Sequence, residues 1–145
     1  MNRRLAAAAA CLVTAACASS PSTSPAVPNA RVDFVAAPSS AANAPAGTTT
    51  PPTVRVSPGR IEILGQMVTP DPCFDLSAAF TNANHELRVM VNGTKRPGMC
   101  ATVIETFAYR ATIVNVATGD YSLEVVHALP NTPAASAVKQ TVTVK

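Results

Sequence analysis

The chain has 145 residues and 13 prolines, a length that suits one ordinary domain with a proline-rich remainder. Its formal charge of +3 includes Arg3 and Arg4; without them nine cations face eight anions, and a balance of +1 leaves no electrostatic footprint for nucleic acid.

Asn2-Arg3-Arg4 is a short basic start, and residues 5–16 form a 12-residue apolar run, too short to span a bilayer. This pattern predicts a secretory signal over residues 1–16. A buried N-terminal helix is the poorer reading, because Ala8-Ala9-Ala10 offer little area to bury and a Pro-rich stretch follows. Thr14-Ala15-Ala16-Cys17 resembles the lipobox of bacterial lipoproteins, in which small residues precede a Cys that is acylated and becomes the N-terminus. The match departs from the family at Thr14, where an aliphatic residue is usual. The resemblance implies a lipid (diacylglycerol and palmitate-type chains) on Cys17 and a place in the bacterial cell envelope, held to the membrane by that lipid. Ala18 rather than Asp after the Cys implies the outer membrane, facing the periplasm, or the cell surface. The rival is ordinary cleavage after Ala16-Cys17-Ala18, which would release a soluble protein.

Residues 17–52 are rich in Pro, Ala, Ser and Thr, with Arg31 and Asp33 as their charges, a composition that predicts a disordered tether. Val32-Asp33-Phe34-Val35 interrupts it; an inert apolar spot is the preferred reading and a strand added to a sheet edge the alternative. Residues 53–145 then read with a period of two. Val54 and Val56; Ile61, Ile63 and Met67; Phe74, Leu76, Ala78 and Phe80; and Leu87, Val89 and Val91 each share a face. So do Phe107, Tyr109, Ala111 and Ile113; Tyr121, Leu123 and Val125; and Val138, Val142 and Val144. Turns are expected at Ser57-Pro58-Gly59, Asn82-Ala83-Asn84, Asn92-Gly93, Thr118-Gly119-Asp120 and Pro130-Asn131-Thr132-Pro133. Asp71-Pro72 could also open a helix, but the alternation from Phe74 to Ser77 favours a strand. About seven strands in 93 residues predict an all-β fold, a small antiparallel β-sandwich. Gly119-Asp120-Tyr121-Ser122-Leu123-Glu124-Val125 resembles a strand of immunoglobulin-like and fibronectin type III-like modules. The resemblance implies that Tyr121 folds its hydroxyl back onto nearby backbone.

With Cys11 in the leader and Cys17 at the lipid site, Cys73 and Cys100 remain as an even pair in an oxidising compartment, and a disulfide is expected. If the third and fourth strands form a hairpin, both cysteines lie at one end of the sheet, and the bond staples the rim. No Cys-x-x-Cys or neighbouring His suggests a metal or redox role. His85 falls in a turn and His127 near the end of the penultimate strand, both read as surface or edge residues. Catalytic motifs are missing and the carboxylates are dispersed, so neither an enzyme nor a cofactor is expected.

The stretch from Asn92 to Met99 is the most distinctive surface feature, since Lys95-Arg96 concentrates two cations on a loop that the disulfide would hold. Asn92, Lys95, Arg96 and Met99 are the candidate contact residues, for an acidic envelope protein or a cell-wall polymer. The expectation is therefore a non-catalytic, lipid-anchored binding or assembly module. The alternative is a protease inhibitor presenting loop 93–99, against which Pro97 follows Arg96 at the would-be scissile bond.

Overall fold

The computed structural model describes residues 29–39 and 50–145. Within them the chain forms eight strands: β1 (Arg31–Pro38), β2 (Thr53–Ser57), β3 (Arg60–Thr69), β4 (Phe74–Ala83), β5 (Glu86–Lys95), β6 (Glu105–Val114), β7 (Gly119–Ala128) and β8 (Ala135–Val144). They make two four-stranded sheets, in the orders β1-β6-β3-β2 and β4-β5-β7-β8. The expected all-β sandwich is present. Its inner faces follow from the alternation: Ile61, Ile63, Tyr109, Ala111 and Ile113 of one sheet meet Leu87, Val89, Val91, Leu123 and Val125 of the other in a single buried core.

Three features depart from expectation. Residues 31–38, assigned to the tether, are a strand of the first sheet, in register with β6 from Arg31 opposite Val114 to Pro38 opposite Phe107. Val32, Phe34 and Ala36 turn inward and pack on the core, and Phe34 stacks on Tyr109 with ring centroids 5.9 Å apart. Among the described residues the sandwich therefore includes Arg31–Pro38 as well as the stretch from residue 53. The signal, Cys17 and the remaining tether residues 18–28 and 40–49 lie outside the described residues.

The second departure is Asn92-Gly93, which lies inside β5 with Gly93 opposite Leu76. A Cβ on Gly93 would stand 2.6 Å from Cδ2 of Leu129, so the glycine serves a close packing contact rather than a turn. The turn expected around Asn82-Ala83-Asn84 is present, centred on Asn84-His85 between β4 and β5, whose φ values of 50° and 62° are those a tight two-residue connection requires. Third, β5 and β7 pair in parallel, Leu87 opposite Leu123 and Val91 opposite His127, in an otherwise antiparallel structure. A parallel neighbour needs a crossover longer than a hairpin, and here β6, in the opposite sheet, is that crossover.

This path sorts the loops between two ends of the sandwich. Residue 29 and the turns at 58–59, 84–85 and 115–118 lie at one end; Asn115 Nδ2 donates to the carbonyl of Asn29 there, at 3.3 Å. The sheet-to-sheet connections 70–73 and 96–104 lie together at the other, about 30 Å away by the rise of a ten-residue strand.

Candidate functional site

The end carrying 70–73 and 96–104 is built mostly from local polar chemistry. Thr69, buried at the close of β3, donates its hydroxyl to the carbonyl of Asp71 at 2.7 Å. Asp71 in turn accepts the Cys73 amide at Oδ1, 3.0 Å, and Lys95 Nζ at Oδ2, 3.0 Å. The Lys95 hydrogen bond holds the Asp71 carboxyl below the usual carboxylate range, with smaller help from the Cys73 amide and against the pull of desolvation. Arg96 closes the clasp: its amide donates to the carbonyl of Cys73 at 2.8 Å and its Nη2 to that of Pro72 at 2.9 Å, with Nε 3.5 Å from Asp75 Oδ1.

The Cys73–Cys100 disulfide then ties the two connections together, with Cα atoms 6.0 Å apart. As expected, it is a staple at the rim. Asp71 lies close to both sulfurs, but these are bonded to each other and the carboxylate faces Lys95, so the group offers no thiolate to a metal.

Of the candidate contact residues, the structure keeps Lys95, Arg96 and Met99 at this end and moves Asn92 into β5, where its Nδ2 turns toward the carbonyl of Met90 at 3.4 Å. The two cations do not form an open positive patch, because each faces an acidic partner, Asp71 and Asp75. Past Arg96 the character of the loop changes. Met99 is fully exposed at 103%, and Val103 and Ile104 follow at 55% and 58%. Three of the five exposed large apolar side chains among the described residues thus fall within six positions of one loop. Sequence reading singled out Met99 for its cationic neighbours and passed over Val103-Ile104. Their signal, two adjacent apolar residues outside any alternating run, is visible in the sequence but has no face assigned to it.

A second cluster links the sheets. Tyr109 of β6 reaches across the sandwich to His127 of β7, Oη to Nε2 at 2.8 Å, with the rings edge to face at 5.5 Å. His127, expected at the surface or an edge, is instead half-buried on β7, which lies between β5 and β8. Desolvation lowers its pKa and raises that of Tyr109 well above the ordinary phenol value. Which of the two donates is set by the imidazole tautomer. Tyr109 also lines a shallow groove of about 650 Å³ with Val35, Leu64 and Arg110. His85 does lie in an exposed turn, its Nδ1 3.2 Å from the carbonyl of Asp120 and its ring beside Tyr121. Tyr121 donates its hydroxyl to the carbonyl of Ala117 at 3.0 Å, the fold-back onto nearby backbone that the strand resemblance implies.

Among the described residues no helix is long and apolar enough to cross a membrane. Comparison with protein-family models, curated proteins and solved structures finds no match to this chain.

Proposed function

We propose that the chain is a lipid-anchored envelope protein, acylated on Cys17, whose sandwich is a non-catalytic binding or assembly module. The observation that carries the binding reading is the loop 96–104, which exposes Met99, Val103 and Ile104 from a connection held by a disulfide and by the Arg96 hydrogen bonds. Exposed apolar side chains on a constrained loop form a contact surface whose ordering cost on binding is small. The cations Lys95 and Arg96 contribute mainly by fixing the loop, since each is engaged by a carboxylate.

Anchoring is supported by the sequence Thr14-Ala15-Ala16-Cys17. Asn29 lies at the end of the sandwich opposite the apolar loop. Catalysis has little to work with in the Tyr109–His127 pair, because a phenol with a raised pKa is a poor acid and a poor nucleophile near neutral pH. The inhibitor alternative is weakened by Arg96, whose amide and guanidinium are committed to Cys73, Pro72 and Asp75 rather than extended toward a protease.

A photo-crosslinker at exposed Ala101 in intact cells tests the contact surface, with a crosslinker at Thr118, at the opposite end, as its control. Adducts from 101 that disappear when Met99, Val103 and Ile104 are changed to Ser support the reading; adducts unaffected by those changes refute it. For the anchor, radiolabelled palmitate is expected in the protein and absent from Cys17→Ser. Equal labelling of both would end the lipoprotein reading.

A further inference from the structure

Every open sheet ends in two edge strands whose unpaired amides and carbonyls can accept another strand, and proteins ordinarily guard them with charge, proline, bulges or short length. Among the described residues three of the four sheet edges are guarded. Strand β1 carries Arg31 and Asp33 and ends in Pro38. Five-residue β2 holds Arg55 and is flanked by Pro52 and Pro58. Strand β8 carries Lys139 and is broken by an irregularity in its pairing, between Val125 and Val126 of β7. Edge strand β4 is different: it is ten residues long, in unbroken register with β5 from Phe74 to Ala83, and has no proline and no charge after Asp75.

The side chains of β4 fit a neighbour. Ser77, Ala79, Thr81 and Ala83 on the outer face are small and exposed, so a second strand can approach without steric conflict. On the inner face Leu76, Ala78 and Phe80 pack against the core but stay only partly buried: β1 of the other sheet lies alongside, and among the described residues no strand is hydrogen-bonded to β4 beyond it. We infer that β4 is an association edge and that its partner is β4 of a second copy of this chain, paired antiparallel about a two-fold axis so that the two four-stranded sheets become one of eight.

Self-pairing is favoured over a foreign strand because the sequence complements itself. With the axis at Ala79, Ser77 of one copy lies opposite Thr81 of the other, Ala78 opposite Phe80, and Asp75 opposite neutral Ala83, so no like charges meet. The inner apolar side chains of both copies then cover each other. The interface leaves the loop 96–104 outside it, so this inference stands independently of the proposed contact surface.

The test uses the full chain as purified from the producing cell. Sedimentation across a concentration series is expected to show a reversible monomer–dimer equilibrium, with amides of residues 76–81 more protected from hydrogen exchange as the dimer fills. Ala79→Lys, at an exposed position, places two charges face to face on the axis and is expected to abolish the dimer, while Thr141→Lys on the outer face of β8 leaves it intact. Ala79→Cys is expected to give a disulfide-linked dimer on a non-reducing gel, and Thr141→Cys is not. A wild-type chain monomeric throughout the series, or a dimer that survives Ala79→Lys, overturns the inference. If Ala79→Cys crosslinks in cells to a different protein and never to itself, the second copy is likewise overturned in favour of a foreign strand.

Discussion

Replacing Gly65 by Ala tests how the two sheets are held together. Gly65 lies opposite Tyr109 in the β3–β6 pairing, and a Cβ added there would overlap Cζ and Oη of the Tyr109 ring, which fills the space that the glycine leaves. Tyr109 is 4% exposed, stacked on Phe34 and hydrogen-bonded to His127, so it has no free direction in which to move. Overpacking of this kind costs about 1–3 kcal/mol. Swinging the ring outward instead forfeits a hydrogen bond of about 1 kcal/mol and part of the ~3 kcal/mol of ring burial. Both routes put Gly65→Ala near 3 kcal/mol, a large share of the ~5–15 kcal/mol that holds a domain together. Tyr109→Ala alone is expected to cost about 3–5 kcal/mol through the cavity it leaves. In the double variant the new methyl occupies part of that cavity, so the combined loss in urea unfolding should fall short of the sum by about 2 kcal/mol. Additivity within about 0.5 kcal/mol would show that the ring and the glycine do not share this space, and would refute the reasoning.

Removing the staple with Cys73→Ala and Cys100→Ala frees a closed loop of 27 residues. The chain-entropy model gives a loss of about 3.5 kcal/mol, or a fall in Tm of about 15 °C for a domain of this size, read by calorimetry; a fall under about 5 °C would contradict it. Acidification should weaken the fold through His127. Burial lowers its pKa in the folded state, so below the unfolded value of about 6.5 the unfolded chain binds the proton first. Stability is then fully retained above that pH and falls as the pH drops toward the folded pKa. His127→Gln should flatten this slope in denaturant melts between pH 7 and about 5, and an unchanged slope would assign the effect elsewhere.

Much of the fold was legible because alternation is a local property. From β2 to β8 the inward residues named from period two are largely those that the core buries, and Pro58-Gly59 and Pro130-Asn131 mark turns where the chain does turn. Strand β1 was harder to read because Val32, Phe34 and Ala36 make a short alternation, interrupted by apolar Val35, inside a proline-rich context. What makes them a strand is β6, whose edge they pair with and whose Tyr109 they cover. Asn92-Gly93 misled for the opposite reason: its local turn chemistry is strong, but ten-residue register with β4 and the packing of Leu129 override it.

The sequence by itself determined the class of fold and the alternating faces of the strands after residue 53, because these follow from nearest-neighbour pattern; it pointed to the Cys73–Cys100 pairing only once Cys11 and Cys17 were assigned to the leader and the lipid site. Only the tertiary structure decided the parallel placement of β7 beside β5, the Tyr109–His127 bond across the sandwich, and the engagement of Lys95 and Arg96 by Asp71 and Asp75. These contacts join residues that are distant in sequence or set by loop geometry. A period of two says which way a side chain points; which strand stands opposite it is set by the path of the connections and the volume the core must fill.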